Sequence, residues 1–185
     1  AMRQAGRSVA VVDIDPQASL TAWVRLREHE ARDAAELRFS MVGGWRLGVE
    51  LDRLKREVER IVVDSPPHAE SDAKGAIKAA DLVLVPCQPS PLDIWASKGT
   101  LDIAMNEGRR HALVLNRVPP RGRSYEEALQ SLAERGYAAL SARLGNRQAF
   151  VASLGRGLGV VESEPRSAAA DEVRALLAEV EAALA

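Results

Sequence analysis

A doubly wound, mostly parallel α/β sheet flanked by helices is the fold class this sequence predicts, on three observations. Short apolar, β-branched runs are continuous rather than alternating, which marks strands buried on both faces of a parallel sheet. Helical patterns separate those runs, so strand and helix alternate along the chain. The 185 residues are 46% hydrophobic but only 4% aromatic, enough for a single domain over 1–185 with an aliphatic core.

The elements follow in order. Residues 1–7 read as the last turn of a helix running into Gly6 as its C-cap. Residues 9–14 are the first apolar run, closed by Pro16. Residues 18–37 and 47–60 are helical in pattern, with a weaker strand candidate at 38–42 between them. Residues 61–64 (IVVD) form the next strand and 71–79 the next helix. Residues 82–86 are a strand, followed by three prolines in six positions and a helix over 92–107. Residues 112–116 are a strand, 121–123 a loop, 125–136 a helix and 139–143 a weaker strand. Residues 155–159 read as a loop and Val160-Val161 as a weak strand. The last helix covers 167–184, where Val173, Leu176, Leu177, Val180 and Leu184 share one face as a core-packing stripe.

Bulk properties exclude several function classes. A formal net charge of -1 gives no global basic field, so nucleic-acid contact requires a local patch. The single cysteine, Cys87, rules out an internal disulfide framework and reads as a small buried residue. The three histidines, His29, His68 and His111, have no metal spacing. Trp23, Trp45 and Trp95 read as core or interface packing. No stretch is apolar for long enough to span a bilayer and no secretory signal is visible, which makes the cytoplasm the expected location and a membrane partner unexpected.

In parallel α/β sheets ligands bind at the carboxyl ends of the strands, and three strands here end in informative polar residues. The first ends Asp13-Ile14-Asp15-Pro16-Gln17. Two acids at that place suit a magnesium-phosphate site or a positioned water; equally, they suit a strand-to-helix turn with Asp as a cap. The second ends Val63-Asp64-Ser65-Pro66-Pro67, four apolar residues and then an acid, the form of a magnesium-organising strand end; many buried strands share it. The third runs Val85-Pro86-Cys87-Gln88-Pro89-Ser90-Pro91-Leu92-Asp93, a stiff extended loop before a helix.

Taken together and in this order, the segments resemble the ParA/MinD-type deviant Walker A ATPases. Residues 11–20 resemble their second motif, residues 62–67 their Walker B strand, and Pro89 to Asp93 the small ParF-like plasmid partition subgroup. Asn116-Arg117 resembles their strand-end pair beside the adenine, and the stretch from Arg147-Gln148 to Ser163 continues the likeness across the chain. The resemblance implies a P-loop NTPase-like fold that binds ATP or ADP with Mg²⁺. It further implies that Asp15 is catalytic, orienting or activating the attacking water, and that Asp13 and Asp64 hold the metal largely through bound waters. Asn116 and Arg117 recognise the base, Pro89, Pro91 and Asp93 lie near the nucleotide and the dimer contact, and Arg147 falls where relatives carry a DNA-contacting arginine. The function implied is partition of DNA or positioning of another cargo by an ATP-dependent homodimer switch. Nonspecific DNA and a centromere-binding ParB-type protein are the expected partners.

One part of the family pattern is absent. The Gly-rich, two-lysine phosphate loop (the deviant Walker A), whose backbone N–H groups would cradle the phosphates, has no match: Gly43-Gly44 and 155–159 lack the lysine and follow no suitable strand. The expectation is that the natural protein extends upstream, with Ala1 a cloning remnant before Met2. The family's first, central strand is likewise expected to be lacking, which leaves two rows of backbone groups unpaired. The chain as given is then expected not to hydrolyse ATP appreciably and to self-associate. Two competing readings share the scaffold: a metabolic enzyme resembling dethiobiotin synthetase or cobyrinic acid a,c-diamide synthase, and a non-catalytic interaction protein. The Asp-Pro-Gln and Pro-Ser-Pro-Leu-Asp segments favour partition over the first. Retention of Asp13, Asp15 and Asp64 disfavours the second.

Overall fold

The computed structural model describes residues 1–31, 37–66 and 71–185; the tail of the helix expected over 18–37, His68 and the second proline of Ser65-Pro66-Pro67 fall outside them. Among the described residues, six strands and eight α-helices run in the order β1 (Val9–Asp13), α1 (Ser19–Glu30), β2 (Arg38–Met41), a 3-10 turn (Gly44–Arg46), α2 (Leu47–Leu54), β3 (Arg60–Asp64), α3 (Ser71–Ala79), β4 (Leu82–Cys87), α4 (Pro91–Asn106), β5 (Arg110–Val118), α5 (Ser124–Glu134), β6 (Ala139–Gly145), α6 (Gln148–Leu154), α7 (Val160–Ser163) and α8 (Ala168–Leu184).

All strand pairings are parallel, as the continuous apolar runs predict. The strands fall into two three-stranded sheets, β2-β1-β3 and β4-β5-β6. Among the described residues β3 and β4 therefore each carry one unpaired edge, two rows of backbone groups without strand partners. Pro86 sits within β4, where the missing N–H is tolerated because that strand is an edge.

Shared helices hold the two sheets together. Ala76 of α3 packs against the core of Ala10, Val12, Leu51 and Leu54, while Ile77, one residue on, belongs to the core of Val85, Leu101, Leu113 and Leu115. On α8, Glu181 pairs with Arg60 of β3 at 2.6 Å, Arg110 of β5 donates to the Ala183 carbonyl, and Glu179 accepts from the backbone of Ser141 and Ala142 in β6. The predicted stripe of α8 is half-buried to buried, with Val180 5% exposed.

Gly6 adopts φ 84° and closes the opening turn, with its N–H donated to the Arg3 carbonyl, as its reading as a C-cap requires. Three local expectations are corrected. The helix expected over 47–60 stops at Leu54, because the N–H groups of Glu59 and Arg60 are taken by the Ser8 carbonyl at the start of β1. Val160-Val161 is helical rather than extended: the Glu162 carboxylate accepts the Gly159 N–H at 2.8 Å and caps the turn, overriding the β-preference of two valines. Helix α6 had no apolar pattern long enough to predict it. Trp45 and Trp95 are 85% and 56% exposed, so neither is core; Cys87 is buried, as expected.

Candidate functional site

The parallel register of β1 and β3 places Asp13 directly opposite Asp64 at the carboxyl ends of two adjacent strands. The two acids share a face of the sheet with α1, since Ile61 and Val63 point the other way into the α2 core. Their environments differ sharply. Asp13 is fully buried and its carboxylate is spoken for. Oδ1 accepts the Asp15 N–H at 3.0 Å, and Oδ2 accepts the Thr21 N–H at 2.8 Å and the Thr21 hydroxyl at 2.6 Å. Such a carboxylate anchors the β1–α1 turn; it reaches a metal only through an intervening water on its remaining lone pairs.

Asp64 is exposed. Burial of part of its carboxyl, and then the charges of Asp13 and Asp15, push its pKa above the ordinary aspartate value; one backbone N–H from Ser65 opposes them. Asp15 is half-buried, with Oδ1 accepting the Gln17 N–H at 2.9 Å in an Asx turn. Like charges this close without a counter-cation are the condition a divalent ion relieves. The donor set, hard carboxylate oxygens with one acid open to solvent, fits Mg²⁺ held largely through waters. Among the described residues no group of three or more His, Cys, Asp or Glu side chains is arranged to enclose a metal.

The remaining sequence-predicted residues lie at the carboxyl ends of β4 and β5. Ser90 is the N-cap of α4: its hydroxyl accepts the Asp93 N–H at 3.2 Å and donates to the Asp93 carboxylate, and Pro91 occupies the first helical turn, where its lacking N–H costs nothing. Pro89, Ser90, Pro91 and Ile94 line a small open pocket against Glu127, Ala128 and Ser131 of α5. Asn116 is half-buried and its Oδ1 accepts the Arg117 N–H at 2.8 Å; Arg117 is exposed, with a left-handed φ of 51° where the pairing of β5 with β6 shifts register between Leu115 and Val118.

Arg147 is committed to a protein partner. Its Nη2 and Nε donate to Glu172 Oε1 at 2.6 and 3.0 Å, and Glu172 Oε2 accepts the Gly145 N–H. Burial works against ionisation of Glu172, but Arg147 and that N–H overcome it and hold the carboxyl below the usual range. Two positions went unnoticed in sequence. Thr21 gives no signal beyond its spacing of eight residues from Asp13. Arg27, only 6% exposed, donates to Glu162 at 2.6 Å across 135 residues and to the Gly157 carbonyl, a contact with no local pattern.

Comparison with known proteins follows from this geometry. No protein-family model matches the chain. It is 31% identical over 187 aligned positions, 97% of this chain and 85% of that protein, to the maintenance of carboxysome distribution protein A of Halothiobacillus neapolitanus. Among solved structures it superposes on the septum site-determining protein MinD of Pyrococcus horikoshii in complex with Mg-ADP, at a TM-score of 0.76 and 18% identity over 96% of this chain and 84% of that one. It also superposes on a Cyanothece McdA–ATP complex, at 0.75 and 17% identity over 99% and 87%. These likenesses show a P-loop NTPase-like fold.

Proposed function

Since the chain belongs to the family of the maintenance of carboxysome distribution protein A, among the ParA/MinD-type ATPases, we propose that it is the nucleotide-responsive part of a positioning ATPase. In this reading it distributes a large cargo within the cytoplasm by an ATP-dependent homodimer switch. The observation that carries this is the opposition of Asp13 and Asp64 on adjacent parallel strands, with Asp15 two residues on. The relatives' names favour a protein-compartment cargo over a plasmid; the switch chemistry is the same for both.

The residues divide the work as follows. Asp64, open to solvent and unfavourably ionised beside two other acids, would hold Mg²⁺ through its waters; when bound, the ion screens phosphate charge and orients the transferring group. Asp13 fixes the turn, through Thr21 and through the Asp15 N–H, and so sets where the Asp15 carboxylate stands. Asp15 would orient the attacking water and accept its proton. Asn116 and Arg117 would meet the base, and the rigid segment from Pro89 to Asp93 the nucleotide edge and the second subunit. A ParB-type or other adaptor protein and nonspecific DNA are the proposed partners. Residues 1–185 contain no G-x-x-x-x-G-K-[ST] sequence. Turnover by residues 1–185 alone is then expected to be negligible.

The test is calorimetric titration of Mg-ATP and Mg-ADP into the chain, alongside a turnover assay. Magnesium-dependent nucleotide binding that Asp64→Asn weakens at least fivefold, with no measurable hydrolysis, supports the reading. Nucleotide affinity indifferent to Mg²⁺ and to Asp64→Asn, or family-like hydrolysis by the chain alone, refutes it.

A further inference from the structure

We propose that Ala18 is a positioning residue for Asp15, holding the β1–α1 turn through a left-handed backbone that lets Asp13 bind both ends of it. Among the described residues only two that are not glycine have a left-handed backbone, Ala18 with φ 54° and Arg117 with φ 51°. Arg117 directly follows Asn116, and Ala18 stands three residues after Asp15, so both fall in segments that carry candidate site residues. A left-handed backbone strains any residue with a Cβ, and such strain persists only where surrounding contacts enforce it.

Ala18 is the N-cap of α1, with ψ 35°, and has no side-chain oxygen to accept the free N–H groups of the first turn. The Asp13 carboxylate supplies that acceptor from β1: its Oδ2 takes the N–H of Thr21, the third residue of the helix, at 2.8 Å. A right-handed residue 18 would continue α1 backwards and bring the Gln17 carbonyl onto the same N–H, as i→i−4 pairing requires. The left-handed residue turns that carbonyl away and leaves the Thr21 N–H to Asp13. On the other side of the turn the Ala18 N–H is donated to the Asp15 carbonyl at 2.9 Å and the Gln17 N–H to Asp15 Oδ1 at 2.9 Å. The Asp15 N–H in turn is donated to Asp13 Oδ1 at 3.0 Å. One oxygen of Asp13 therefore grips Asp15, the other grips α1, and residue 18 is the joint between them. Relaxing that joint gives Thr21 a competing acceptor, loosens Asp13 and moves the Asp15 carboxylate from its place at the end of β1. That Asp15 serves a nucleotide rests on the proposed function; the geometry of the turn does not.

The test is amide hydrogen exchange followed by NMR on the 185-residue chain, with calorimetric titration of Mg-ADP in parallel. Ala18→Val puts a β-branched residue where φ is positive, and the Thr21 and Asp15 amides are expected to lose protection on the order of tenfold beyond any loss at the buried Leu113 amide. The same variant is expected to weaken Mg-ADP binding on the order of tenfold, the usual effect of disturbing the groups that orient a metal site. Ala18→Gly enters the left-handed region freely and is expected to keep or raise both protections and to keep the affinity. The proposal is overturned if Ala18→Val leaves the Thr21 and Asp15 amides as protected as before, if it exposes them without weakening Mg-ADP, or if Ala18→Gly loses protection as well. The glycine variant decides the matter alone should the valine variant fail to fold. A turn released by valine and kept by glycine, in a chain that binds no Mg-ADP even unsubstituted, would leave the joint standing and sink the nucleotide-switch reading instead.

Discussion

The carboxylate of Asp13 and the side chain and backbone of Thr21 form a closed, fully buried bond pair, at 2.6 and 2.8 Å, that ties the end of β1 to the first turn of α1. Thr21→Val keeps the shape and removes the hydroxyl donor, leaving a buried charge one bond short. The expected loss is about 1–3 kcal/mol, read as a lower urea midpoint at unchanged m-value. Asp13→Ala, which orphans the donors of Asp15 and Thr21 together, is expected to cost more than Thr21→Val. Equal stability in either variant would remove Asp13 as the anchor of the turn.

Asp64 stands in the opposite condition. Partial burial and the charges of Asp13 and Asp15 raise its pKa in the folded chain, so its ionised form opposes folding. Asp64→Asn is therefore expected to raise the thermal midpoint at neutral pH. Because the penalty exists only above the unfolded aspartate value of 3.8, the gain is expected to fade as pH drops through the raised folded pKa and to vanish below 3.8. Thermal scans of both proteins across pH 3 to 8, on the order of one-unit steps, check the sign.

The partly buried Arg27–Glu162 pair joins α1 to α7. Glu162→Gln removes the charge of a partly exposed carboxylate that accepts from Arg27, and a loss of about 1–3 kcal/mol is expected. Burial pushes the Glu162 pKa up, but the hydrogen bond from Arg27 and the Gly159 N–H outweigh it and the folded pKa is depressed. The pair's contribution is thus complete above the ordinary glutamate value of 4.5 and is lost as pH falls through the lower, folded pKa. Wild type and Glu162→Gln are expected to converge in stability at that acid end, followed by denaturant titration at each pH.

Gly157 carries a φ of 67°, and a Cβ there would lie 2.5 Å from the Arg27 Cα. Both the backbone conformation and the close approach exclude alanine, so Gly157→Ala is expected to destabilise by about 2 kcal/mol or more. Calorimetry of the variant measures it; a neutral result would show that the α6–α7 loop does not pack against α1.

The unpaired edges of β3 and β4 carry Val62 and Leu84, 44% and 37% exposed on strands of a parallel sheet. Edges of this kind recruit further strands, and concentration-dependent self-association is expected in sedimentation velocity. Val62→Lys/Leu84→Lys is expected to shift the distribution to monomer. A wild-type monomer at high concentration would refute the expectation.

Much of the fold was legible because local chemistry dictates it. Runs such as Val9 to Val12 and Leu82 to Cys87 are apolar at every position, the pattern of strands in a parallel sheet, and Ser90-Pro91 announces the start of α4. Where the reading failed, a longer-range partner had overruled local preference: Ser8 ends the region expected to be α2, and Glu162 bends two valines into a helix. At the site, the acids themselves were visible, but their division of labour was not. Nothing near Asp13 in sequence shows that Thr21 closes over it, and nothing near Arg147 shows that Glu172 holds it.

The sequence by itself determined the alternation of strands and helices and the acids at the strand ends. The tertiary structure alone decided that Asp13 is sequestered while the adjacent Asp64 is open, that among the described residues the strands stop pairing between β3 and β4, and that Arg147 is held by Glu172. The physical reason is range. Periodicity and capping act over a few residues along the chain, whereas register, burial and charge pairing depend on which distant segments meet, and only the folded chain fixes those meetings.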